Sequence, residues 1–107
     1  MYRDRFIQAI HDKKRVRVSF DSKEDRAQVT RKCAPMDFGP SRRAREKNDR
    51  YHLWNYEGDT KPHVLILNPG QVVEIVVLEE RFEPSEFVTW NTTTSPWSVR
   101  RDWGNYS

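Results

Sequence analysis

Tyr51-His52-Leu53-Trp54-Asn55-Tyr56, Val64-Leu65-Ile66-Leu67 and Val72-Val73-Glu74-Ile75-Val76-Val77-Leu78 are the three runs that decide the fold class. Glu57-Gly58-Asp59-Thr60-Lys61-Pro62 separates the first pair and Asn68-Pro69-Gly70 the second. β-Branched and aromatic runs cut by Gly, Pro, Asn and Asp read as successive antiparallel strands. Three strands in such a short span predict a meander at the centre of a small barrel or sheet.

Working outward, residues 2–11 read as a short helix. Phe6, Ile7 and Ile10 fall on one stripe, Asp4 sits in the first turn, and His11, Lys13 and Lys14 lie at the far end. That polarity suits the helix dipole, and so short a helix needs the sheet as a dock. Residues 15–20 alternate Val16, Val18 and Phe20 with Arg15, Arg17 and Ser19, the pattern of a half-buried strand with a basic outer face. Residues 27–34 form a second strand that Pro35 is expected to end, because proline offers no donor to a ladder. Residues 36–48 read as a loop, and Pro84-Ser85-Glu86-Phe87 as a short helical turn.

Residues 88–107 differ in kind. Thr92-Thr93-Thr94-Ser95-Pro96 is linker-like, yet Trp90, Trp97, Trp103 and Tyr106 are spread through the segment. Disordered tails are poor in aromatics. The tail is therefore expected to wrap the domain or to swap onto a second copy, with Trp90, Trp97, Trp103 and Tyr106 as partner-binding anchors. The organisation expected is a β domain over residues 1–87 with a tryptophan-bearing extension over 88–107.

Composition bounds the function. A chain of 107 residues with 33% charged and 36% hydrophobic residues builds one modest core. No run is long and apolar enough for a membrane helix, and Met1-Tyr2-Arg3-Asp4-Arg5 has no signal-peptide character, so a cytoplasmic protein with no membrane partner is expected. The single Cys33 fits a reducing compartment. Residues 1–50 hold fifteen Lys and Arg against eight Asp and Glu, and residues 51–107 hold four against eight. A basic half joined to an acidic half suggests one positive face able to attract polyanions.

Catalytic patterns do not emerge. Cys33 lies in a strand with no histidine placed beside it by the sequence, and His11, His52 and His63 match no metal spacing. Four glycines form no phosphate loop. Neither enzymatic activity nor a cofactor or metal is expected. Binding chemistry is better represented: Arg42, Arg43, Arg45, Lys47 and Arg50 run into Tyr51, His52, Trp54 and Tyr56. Cations for phosphates beside aromatic faces for bases are how sheet domains hold single strands. Leu53 assigns the face of Tyr51, Leu53 and Asn55 to the core. His52, Trp54 and Tyr56 then form an outer aromatic strip, open to a ligand or covered by the tail.

The order of elements resembles a WYL domain: helix, basic strand, strand ending at Ala34-Pro35, loop, Arg50-Tyr51-His52-Leu53, and a strand into Phe82-Glu83-Pro84. The likeness spans roughly residues 6–87. Of the family's Trp-Tyr-Leu triplet, Tyr51-His52-Leu53 keeps Leu53 and an aromatic first residue. Leu65-Ile66-Leu67-Asn68-Pro69-Gly70 corresponds to the family's arginine-bearing segment with both arginines replaced, by Ile66 and Pro69. The resemblance implies a stand-alone SH3-like (Sm-like) antiparallel β-barrel in bacterial transcription regulation or defence, sensing a ligand or binding nucleic acid. Any polyanion site would then use Arg15, Arg17 or the segment from Arg42 to Arg50, with RNA or single-stranded DNA as partner. The alternative is a protein-interaction or dimerisation module that uses the tail and a sheet edge.

Overall fold

The computed structural model describes residues 2–41, 44–57 and 63–107. Among them the chain is mainly β: one helix, α1 (Arg3–Asp12), precedes β1 (Lys14–Ser22), β2 (Ala27–Pro40), β3 (Asp49–Asn55), β4 (Val64–Leu67) and β5 (Val72–Arg81). All pairings are antiparallel, and the strand order is β4-β3-β2-β1-β5. The sheet is open, with β4 and β5 as its two edges.

The expected meander therefore breaks after β4. Asn68-Pro69-Gly70 makes no hairpin: Pro69–Gln71 is a 3-10 turn, closed by the Gln71 N–H donating to the Asn68 carbonyl at 2.9 Å and the Asn68 N–H donating to Gln71 Oε1 at 3.1 Å. Proline at its first position presets φ for a helical turn, and the chain crosses to pair β5 with β1.

Periodicity holds elsewhere. Val16, Val18 and Phe20 are buried on β1, and Tyr51, Leu53 and Asn55 on β3, as alternation requires. Phe6, Ala9 and Ile10 bury the face of α1 in the same core, while Ile7 is half-buried. The helix ends where Lys13 takes a left-handed conformation (φ 55°) and its N–H reaches back to carbonyls of the last turn.

β2 runs past Pro35 instead of ending there. Tyr56 donates its N–H to the Lys32 carbonyl at 3.1 Å, so by alternation Ala34 bonds toward β3 and Pro35 faces β1. The ladder to β1 ends at the Val16–Cys33 pair. The missing N–H of Pro35 thus falls where no acceptor waits. One step on, the β2–β3 register shifts between Pro35 and Asp37. This bulge leaves Met36 as the extra residue and pairs Asp37 with His52 on the outer face.

The tail lies against its own domain. Trp103 is 3% exposed, packs against Phe82 and Phe87 at 5.4 and 6.1 Å between ring centres, and donates its indole N–H to the Ile10 carbonyl at 3.0 Å. Val88 and Thr92 are buried as well. Through Val88 and Trp103 the tail shares the core of the strands, with Trp97 and Tyr106 packed against it.

Candidate binding site

The tail is fastened by a carboxylate that the bulge positions. Asp37 accepts the backbone N–H groups of Ser98 at 2.8 Å and Val99 at 2.9 Å, and pairs with Arg101 at 3.1 Å. The Arg101 side chain is fully buried between Trp97 and Trp103, its guanidinium 4.1 and 4.4 Å from their ring centres, and it also donates to the Met36 and Val99 carbonyls. Burial pulls the Arg101 pKa down to about 10, and Asp37 opposes that shift, so the cation persists at neutral pH. Gly39 completes the seat. A Cβ there would lie 2.4 Å from Ser98 Oγ and 2.5 Å from Ser98 Cβ.

The residues expected to hold nucleic acid are dispersed and mostly engaged within the chain. Arg15 lies between Glu80 at 3.6 Å and Glu86 at 3.5 Å, above the Tyr56 ring. Tyr56 donates to Glu86 at 2.8 Å, and burial with that contact raises its pKa. Trp54 is half-buried, stacked on Phe87 and beside His63. Tyr51 is a core residue wedged edge-on between Phe6 and Phe38. His52 shares a hydrogen bond with the Gly39 carbonyl at 2.9 Å. Arg50 donates to Asn68 at 2.9 Å and Lys47 to the Ser41 carbonyl at 3.1 Å, while Arg17 and Arg45 are exposed. Arg42 and Arg43 lie outside the described residues. Of the tail aromatics, Trp103 belongs to the core, Trp97 is half-buried and donates to the Tyr106 carbonyl, Tyr106 is half-buried, and Trp90 is 37% exposed.

Two concavities flank β4. On the inner side of the sheet a cleft of about 810 Å³ lies between the β1–β2 turn and the β3–β4 pair, with Phe20, Arg31, Arg50, Leu65 and Leu67 among its walls. Its described charges balance: Lys23, Arg31 and Arg50 face Glu24, Asp25 and Glu57. None of Tyr51, His52, Trp54 or Tyr56 lines it, so it offers no stack of those rings to bases. On the outer side a hollow of about 250 Å³ is walled by Met36, His52, Ile66, Trp90, Pro96 and Trp97. Ile66 contributes to both.

Among the described residues nothing pairs with the outer edge of the strand between them. Asn55 donates to the His63 carbonyl at 2.7 Å, which by alternation turns the backbone of Leu65 and Leu67 toward β3 and that of Val64 and Ile66 outward. Among the described residues no hydrogen bond meets those outward groups. Val64 and Ile66 also expose 37% and 43% of their surface. The opposite edge is guarded: β5 carries Glu74, Glu79, Glu80 and Arg81, and its register with β1 shifts twice. Charges and irregularities are how edges avoid strand addition, and β4 has neither. Sequence reading named a sheet edge without saying which. The signal was present in Val64-Leu65-Ile66-Leu67, four apolar residues without a charge, once the crossover after Leu67 is known.

Other chemistry is sparse. Cys33 is fully buried, and burial with the nearby Glu57 pushes its thiol up to about 12, which keeps it protonated. Among the described residues no group of three or more His, Cys, Asp or Glu side chains is placed to hold a metal ion. No described helix is long and apolar enough to cross a membrane.

Comparison with known proteins supplies no relative: no family model, no curated protein and no solved structure matches the chain.

Proposed function

We propose that this chain is a non-catalytic interaction module that accepts an extended protein segment along the free edge of β4. The observation that carries the reading is the contrast between the sheet's two edges. β5 exposes Val73 and Val76 but sets them among Glu74, Glu79, Glu80 and Arg81 with two register shifts. β4 presents Val64 and Ile66 with no charge, and among the described residues no hydrogen bond meets their outward backbone groups. Strand addition draws affinity from main-chain hydrogen bonds and specificity from pockets beside the edge, and the outer hollow lies beside this one. An N-terminal helix and the order β4-β3-β2-β1-β5 fit an SH3-like barrel opened along the seam between β4 and β5. In that form the chain reads as a divergent, regulatory WYL-like domain whose arginine-bearing segment has become an apolar edge at Leu65-Ile66-Leu67.

The test is selection of displayed random peptides on the intact chain and on the Ile66→Lys variant. The reading expects peptides that bind the parent, fail on the variant, and shift the amide resonances of Val64 and Ile66. Peptides that bind both proteins equally would overturn it.

A second reading, a single-stranded nucleic acid, is favoured by Arg31 and Arg50 on the wall of the inner cleft and by exposed Arg45 nearby. It expects labelled RNA or DNA to bind with steep salt dependence. Replacement of Arg31 and Arg50 by Gln should then weaken binding about tenfold or more. Unchanged affinity in that variant would dismiss the cleft.

A further inference from the structure

We infer that the segment accepted by β4 seats one aromatic side chain in the outer hollow, where residues of the tail form the far wall. This rests on the proposal that β4 is an acceptor edge, and adds which side chain the partner carries and what recognises it. Whichever way an added strand runs, the residue aligned with Ile66 points its side chain to the same face as Ile66. That face is the outer one, since Ile66 pairs with His52, whereas the core residue Leu53 pairs with Leu65. Ile66 is 43% exposed there and lines the hollow with Met36, His52, Trp90 and Trp97.

The hollow selects by size and by chemistry. Its volume of about 250 Å³ lies below that of most small-molecule pockets and suits a single side chain. The added backbone lies one strand spacing beyond β4, so a long side chain is needed to reach past Ile66 to Trp90. The indole N–H groups are taken up within the tail: Trp90 donates to the Ser95 carbonyl at 3.3 Å and Trp97 to the Tyr106 carbonyl at 2.8 Å. Asp37 is likewise occupied, by the Ser98 and Val99 N–H groups and by Arg101. What these groups leave to a ligand is aromatic surface. Trp90 and Trp97 already meet edge to face at 5.3 Å between ring centres, and a third ring extends that arrangement. Arg101 covers one face of Trp97, whereas Trp90 keeps 37% of its surface exposed and is the ring left to receive a partner. Trp90, Pro96, Trp97 and Ser98 all come from the tail, and Asp37 fastens their segment to the sheet. The tail thereby completes the pocket. The neighbours of the seated residue turn to the inner cleft, whose described charges balance, so neutral glutamine suits those positions in a probe.

Palindromic peptides test this on the full chain, because they present the same residues in either direction. The first is capped Gln-Val-Gln-Phe-Gln-Val-Gln, and the second replaces Phe by Ser. The third is the Phe peptide N-methylated at Val and Phe, and the fourth the same peptide methylated at the Gln residues. The inference expects the Phe peptide to bind about tenfold or more tighter than the Ser peptide, with proton contacts by NMR from its ring to Trp90 and Ile66. In Trp90→Ala the two peptides should bind within about twofold of each other, the Ser peptide as it binds the parent. Loss of binding in one methylated phase alone places the backbone against β4, antiparallel if the Val and Phe amides are needed and parallel if the Gln amides are. Equal binding of the Phe and Ser peptides, or an undiminished preference in Trp90→Ala, would overturn the pocket, while a one-phase loss would leave the acceptor edge standing. No loss in either methylated phase, or no binding of any peptide, would overturn the edge as well. A dimer in solution whose Val64 and Ile66 amides are already protected would make a second copy the occupant, and would also overturn the inference.

Discussion

Arg101 shows how one residue can decide whether a tail belongs to a fold. Its guanidinium is enclosed by two indole rings, a carboxylate and two carbonyl groups, so its planar fork of donors is used in several directions at once. A lysine keeps the charge but supplies neither the fork nor the flat face for stacking. Arg101→Lys is expected to destabilise the protein by about 2–4 kcal/mol in denaturant unfolding, since a buried ion is left with poorer partners. A loss below about 0.5 kcal/mol would mean that the site is solvated in solution. Cys33 gives a second prediction at this scale. Its folded pKa is raised from 9.0 to about 12, so as pH climbs past 9 the unfolded chain loses this proton first while the native state keeps it. The native state then binds more protons, and the stability this group contributes is present below pH 9 and is lost as pH rises toward 12. Relative to Cys33→Ala, the wild type should lose about 2 kcal/mol between roughly pH 9 and 10.5, measured by urea unfolding of both. Parallel curves would show a thiol that ionises freely in the folded protein.

At the level of elements, what could be read in the sequence was whatever depends on near neighbours. The stripe of α1, the alternation of β1 and β3, and the assignment of Leu53 to the core follow from period alone. Three features depend on distant partners and escaped. β2 continues through Pro35 because the ladder to β1 has already ended there, a fact about another strand. The bulge at Met36 puts Asp37 on the outer face, where it meets residues about sixty positions later. The turn at Pro69 becomes a crossover because β5 finds β1. Gly39 tests this layer. Gly39→Ala places a methyl group inside contact distance of Ser98, and should cost about 1–3 kcal/mol while loosening the tail. Ser98→Gly removes both offending atoms, so the double variant should recover most of the loss. Strictly additive effects would show that the two residues do not meet.

For the molecule as a whole, the candidate site was legible only as a list of residue types. Basic and aromatic residues adjoin at positions 42–56, which suggested a single polyanion surface. The fold distributes the described ones: Tyr51 enters the core, Trp54 and Tyr56 are covered by Phe87 and Glu86 after β5, and outside that run Arg15 is matched by Glu80 and Glu86. The tail likewise gives Trp103 to the core and leaves Trp90 at the surface beside β4. Truncation after Phe87 would strip Trp103 from Phe82 and Phe87 and remove the ligands of Asp37. Loss of a buried tryptophan alone costs about 3–5 kcal/mol, a large share of a small domain's stability, so the truncated chain should lose its cooperative unfolding transition. A sharp transition at the parent's midpoint would return the tail to the role of an appendage.

These scales meet at β4, a strand fixed on one side and, among the described residues, open on the other. Amide hydrogen exchange of the isolated chain reads that state directly. Leu65 and Leu67, bonded to β3, should be protected, while Val64 and Ile66 should exchange orders of magnitude faster, near the rate of unstructured amides. Equal, strong protection of all four amides would mean that the edge is already covered, and would contradict the acceptor role.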